Sequence, residues 1–148
     1  MSHVVNIDLV IKDLDALAQA AKECGLELVR NKKTYTWYGR YMSDSPLPEG
    51  FTADELGKCE HALRVIDGQP GAYEIGIVRR KDGKPGWQIL FDYWAGGGGL
   101  VEKVGGNNAG KLKQRYQVAI FRREMAKKGM HVTERMVNGK LQVEAVRA

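Results

Sequence analysis

Six cations recur along one run near the carboxyl end of the chain: Lys111, Lys113, Arg115, Arg122, Arg123 and Lys127. Lysine and arginine at this density neutralise phosphates, so the chemistry they offer is backbone binding rather than bond-making. A second set offers base stacking. Tyr35, Trp37 and Tyr38, with Tyr41 close by, are interleaved with Arg30, Lys32, Lys33 and Arg40. Exposed rings stack on nucleobases while neighbouring cations hold the strand; the same rings turned inward are plain core, which is the commoner fate of an aromatic run.

Other patterns fall short of a reaction. Gly105-Gly-Asn-Asn-Ala-Gly110-Lys111 has the spacing of a phosphate-binding loop through its lysine, but Leu112 stands where a hydroxyl must hold magnesium. No downstream metal carboxylate or parallel-sheet setting accompanies it, so nucleotide hydrolysis is not expected. A dinucleotide-type spacing begun at Gly97 breaks at Glu102. The glycines at 96–99 and 105–106 read as a mobile or closely packed connection, ordinary loop disorder being the favoured reading. Cys59 and His61 share a strand face, yet two ligands define no metal site and no carboxylate orients them as a nucleophilic pair. No catalytic residue, metal or cofactor is expected.

The cations at 111–127 need a helix to present them. Residues 111–128 contain no proline or internal glycine, with Lys127, Lys128 and Gly129 forming a C-terminal signature. Leu112, Tyr116 and Ala119 make one apolar stripe; Val118, Phe121 and Met125 make an adjacent one, into which Arg122 and Arg123 intrude. Asn138-Gly139 then predicts a tight hairpin between strands at 130–137 and 141–146, with a bulge allowed by the imperfect alternation of the first.

Upstream, strands are predicted at 3–10, 26–30, 34–41, 59–65, 72–79 and 87–94, with a helix from Leu14 capped by Asp13 and closed by Gly25. Residues 42–57 are irregular, Thr52 and Glu55 capping one short turn. Asp92 is a lone carboxylate in an apolar strand and needs a hydrogen-bond partner if buried. The resulting expectation is one α+β domain over 1–148: a largely antiparallel sheet, two main helices packed on it, and irregular insertions near 42–58 and 95–110. Both halves suggest a strand–helix–strand–strand order.

With 148 residues and 43% hydrophobic content, the chain is sized for a single core. No apolar segment is long enough to span a membrane, and no secretory leader is visible, so a cytoplasmic location is expected. Cys24 and Cys59 fit separate reduced thiols. Charge is uneven: residues 1–99 hold 12 Lys/Arg and 14 Asp/Glu, a net of −2, while residues 100–148 hold 11 and 4, a net of +7.

Met1-Ser-His3, Asp92-Tyr-Trp94 and Leu112-Lys-Gln114-Arg-Tyr116, followed by a glycine and a closing hairpin, resemble the conserved hypothetical open reading frame 35 family of plastids, cyanobacteria and bacteriophages. The chain departs from that pattern in its longer middle section and in residues 96–110. The resemblance implies no established chemistry, cofactor or substrate; it suggests a phage-encoded accessory protein, working in the host cytoplasm, and marks Asp92, Gln114 and Tyr116 as shared-site candidates. Three functional expectations follow. The first is a non-enzymatic accessory protein binding DNA or RNA weakly through the basic helix. The second is a protein-binding regulator directed at an acidic host protein. The third is a small enzyme using the glycine loop on a phosphorylated ligand.

Overall fold

The computed structural model describes residues 4–43, 46–94 and 96–147; His3 lies outside them. Runs of apolar residues form β1 (Val4–Ile11), β2 (Leu26–Arg30), β3 (His61–Val65), β4 (Ile75–Arg79) and β5 (Trp87–Asp92), joined as one antiparallel sheet in the order β1-β5-β4-β3-β2. β1 and β2 therefore lie at opposite edges, connected through α1 (Leu14–Glu23). Asp13 starts that helix by accepting the Ala16 N–H at 3.0 Å, and Ala16, Leu17, Ala20 and Ala21 form its buried face. Mostly small side chains there let the helix lie close against its neighbours.

The same face of the sheet receives α2 (Leu100–Val104) and α3 (Gly110–Ala126). Leu100, Val104, Leu112, Tyr116 and Ala119 pack with Ile7, Leu63, Ile75, Ile77, Ile89 and Phe91 in the main core. The glycine-rich segment is thus the closely packed connection and not the favoured disordered one: it contains a helix, and Leu100, Val104 and Ala109 join the main core. The Gly97 carbonyl accepts the Tyr73 N–H at 2.8 Å, and a Cβ on Gly97 would come within 2.6 Å of that ring. Ala95 lies outside the described residues.

The opposite face carries a second core. Val4, Ala62, Val78 and Leu90 are covered by Tyr35, Phe51 and Leu56 from the long connection between β2 and β3. Residues 34–41 do not form the expected strand. One bridge links Thr34 to Lys58, and the segment is otherwise held by single contacts, including Tyr35 N–H to Gly57 O at 2.9 Å. Covering the sheet satisfies more of its aromatic surface than lying at an edge would. The first half accordingly lacks the strand–helix–strand–strand order. Thr52 and Glu55 do form the predicted capping box on a short 3-10 turn, Ala53–Glu55.

After α3 the chain makes β6 (Met130–Val137) and β7 (Lys140–Arg147), a separate two-stranded sheet. Asn138 and Gly139 have φ of +50° and +75°, as the two-residue turn requires. The register runs without a shift from Val137–Lys140 to Met130–Arg147, so the bulge allowed from the sequence is absent. Among the described residues no helix is long and apolar enough to cross a membrane.

Candidate functional site

The α3 arginines are engaged inside the molecule. Arg115 donates to Glu23 on α1 at 2.9 Å and to Glu134 on β6 at 2.6 Å. Arg122 shares Glu134 and donates to the Val132 carbonyl at 2.8 Å. Arg123 pairs with Asp13, the α1 cap, at 2.7 Å and reaches Asp15 at 3.9 Å. α3 runs antiparallel to α1, placing Arg115 at the Glu23 end and Arg123 at the Asp13 end. Burial alone would lower the Arg115 pKa, but the hydrogen bonds and charges of Glu134 and Glu23 outweigh it and hold the guanidinium above its ordinary value. Hydrogen bonds from Arg115, then Arg122, hold the Glu134 carboxyl below the ordinary range. These three arginines bind α1, α3 and the hairpin together, so the expected polyanion surface loses them.

No ion pair engages Lys111, Lys113 or Lys127 among the described residues, but the helix does not gather them. At 3.6 residues per turn, Lys113 and Lys127 project from one side about 21 Å apart, and Lys111 lies about 160° round from both. The +7 excess is therefore spread over the block rather than focused into one cleft.

The stacking candidates are also packed. Tyr35 is 3% exposed, its ring so close to Gly76 that a Cβ there would meet it at 2.4 Å. Trp37 is half-buried over Gly57. Tyr38 is half-buried and meets Trp94 edge-on at 5.7 Å, while the Tyr73 ring lies 5.9 Å from Trp94. Tyr35 cannot offer a ring face to a base, and the three do not form an open platform.

Asp92, Gln114 and Tyr116 do not share a site. Asp92 is fully buried and accepts the Tyr38 N–H at 3.3 Å and the Trp94 N–H at 3.1 Å. Its carboxylate thus anchors the 38–41 segment and turns the chain out of β5. Burial, then the Asp92 charge, pushes the Tyr73 phenol up to about 12, with Tyr38 adding to it. Tyr116 is buried, and its hydroxyl oxygen accepts the Lys12 and Asp13 N–H groups at 3.1 and 3.3 Å. Asp92 pairs with Val4 at one end of β1 and Tyr116 sits beyond the other end, some 25 Å away at strand rise. Gln114 is exposed and lines a 370 Å³ hollow with Glu23, Lys111, Arg115, Glu134, Met136 and Leu141. Asp92 is not among the walls of that hollow, so Lys111 and Asp92 do not frame a phosphorylated ligand.

Cys59 and His61 are structural as well. The Cys59 thiol donates to the Lys32 carbonyl at 3.1 Å, and burial, only partly opposed by Lys32, pushes it up to about 11, far from a ready nucleophile. His61 Nδ1 accepts the Asn31 N–H at 2.9 Å. Among the described residues no group of three His, Cys, Asp or Glu side chains could hold a metal ion.

One feature escaped the sequence reading. No residue of β7 is buried, and β6 is its only strand partner among the described residues. Met136 is 65% exposed and Val143 38%, beside the half-buried Leu141 that faces Met136 across the hairpin. An alternation of Leu141, Val143 and Ala145 was legible; that this face would be only half covered beside α3 was not. Comparison of the chain with models of known families, with curated proteins and with solved structures gives no match in any of the three.

Proposed function

We propose that this chain is a non-enzymatic accessory protein that works by binding a second polypeptide chain, with the terminal hairpin as its contact element and β7 as the edge that receives the partner's extended strand. The observation that carries this reading is the open edge of β7, eight residues long and free of buried positions, beside the exposed Met136 and Val143. A strand edge gives affinity through its backbone and specificity through alternate side chains. The Glu23–Arg115–Glu134–Arg122 network fixes the hairpin base to the helices, so the arm is presented rather than loose.

The test is a photocrosslinking residue at the exposed position 142, in the full-length chain and in the cells that produce it. A discrete protein adduct that disappears when Val143→Pro is added supports the reading. Absence of any adduct, or an adduct indifferent to that substitution, rejects it.

A weaker second reading keeps nucleic acid as the ligand, supported by the unpaired Lys111, Lys113 and Lys127. Saturable binding to DNA or RNA that falls with salt and with their combined replacement would favour it.

A further inference from the structure

The two-residue turn makes Val137 and Lys140 the first pair to exchange backbone hydrogen bonds. Alternation then points the backbone groups of Lys140, Gln142, Glu144 and Val146 towards β6, and those of Leu141, Val143, Ala145 and Arg147 towards the open side. Thr133 Oγ1 donates to the Glu144 carbonyl at 3.5 Å, which puts that carbonyl on the β6 side as required. The outward row meets no strand of this chain among the described residues.

The edges of the five-stranded sheet are protected in ways β7 is not. The β1 ladder is interrupted by a register shift between Ile7 and Ile11. β2 is five residues long, with Glu27 paired to Arg64 and Arg30 to Asp15. β7 is longer and regular, and its two charges on the face that carries Gln142 are of opposite sign, Lys140 and Glu144. Across β6 they face Val137 and Thr133, neither of which is charged.

We infer that β7 pairs antiparallel with β7 of a second copy of this chain, about a twofold axis through Gln142, joining two hairpins into a four-stranded sheet. This rests on the strand-binding reading above and names its partner. The run Lys140-Leu-Gln-Val-Glu144 is its own antiparallel complement. Lys140 lies opposite Glu144 of the second copy, and Glu144 opposite the second Lys140. Leu141 meets Val143, and both have the outward backbone groups that a hydrogen-bonded pair needs. Neighbouring registers that keep the faces aligned are poorer. An axis through Glu144 sets two carboxylates against each other, and one through Val143 leaves Lys140 opposite Val146. A closed twofold pair also ends the edge, since each copy's open strand is used once.

Sedimentation equilibrium of the purified full chain tests this. The mass should rise with concentration from 16.5 kDa towards twice that value. Val143→Pro removes an outward N–H without removing a bond to β6 and should weaken the dimer at least roughly tenfold. Lys140→Glu and Glu144→Lys should each weaken it by roughly tenfold, because each change acts twice across the axis, and the double variant should restore it. A mass that stays at 16.5 kDa even at millimolar concentration overturns the inference, as does a dimer indifferent to both charge reversals. The crosslinker at position 142 separates the two failures. Adducts with a different protein overturn self-pairing and leave strand binding intact, whereas no adduct at all removes both.

Discussion

At the scale of single residues, the buried polar groups His61, Glu74 and Asp92 all accept backbone N–H groups. His61 shows this well: its Nδ1 receives the N–H of Asn31, a residue with φ of +61°, where the chain leaves β2. Burial, with Glu60 opposing it and Arg30, Arg79 and Lys33 adding to it, holds the imidazole pKa below its ordinary 6.5. The fold therefore prefers the neutral ring, while the unfolded chain takes its proton near the ordinary value. This contribution to stability is complete above pH 6.5 and is lost as pH falls through the folded pKa. Urea midpoints measured from pH 7.5 to 5 should decline, and the decline should be smaller in His61→Gln; an equal slope in both would refute the assignment. Gly76 makes a steric case. A Cβ there would lie 2.4 Å from the Tyr35 ring, so Gly76→Ala should cost about 1–3 kcal/mol in equilibrium unfolding. Tyr35→Leu in the same chain should recover part of that loss.

At the scale of elements, α3 functions as a clamp between α1 and the hairpin. Glu134 is the joint, since one carboxylate serves both Arg115 and Arg122. Glu134→Ala leaves Arg122 with the Val132 carbonyl and Arg115 with Glu23, a loss of roughly 1–2 kcal/mol after allowing for partial exposure. Hydrogen exchange should quicken in β6 and β7 more than in β3 or β4, because a two-stranded hairpin has little stability apart from its docking. Uniform acceleration throughout the chain would contradict that division. With the Glu134 pKa lowered, the clamp is intact above about pH 4.5 and weakens as pH falls through the folded value.

At the scale of the whole molecule, the charge excess and the surface proposed for binding are different things. The carboxyl-terminal block is net +7, yet its helix arginines meet Glu23, Glu134, Asp13 and Asp15. With Lys111, Lys113 and Lys127 as the unpaired remainder of the six cations, their combined replacement should lessen the slope of log K against log salt for DNA binding by about 3. An unchanged slope would mean that these lysines make no phosphate contact. The hairpin, a two-stranded sheet separate from the five-stranded one, is the surface we propose for a partner.

By itself the sequence determined what is local. Asp13 and Gly25 delimit α1, Thr52 and Glu55 close their capping box, and Asn138-Gly139 turns the hairpin, because caps and turns are satisfied within a few residues. Leu112, Tyr116 and Ala119 were readable as the buried stripe of α3 for the same reason. Partnership across the chain was decided by the tertiary structure. Tyr35 and Trp37 became a cover for the second face of the sheet instead of a strand, and Gly97 became a contact for Tyr73 instead of slack. Arg115 acquired carboxylates from positions 92 residues before it and 19 after it. A charge or an aromatic ring has the same identity in either setting; which atoms stand opposite it is fixed by how elements stack, and local spacing carries no record of that.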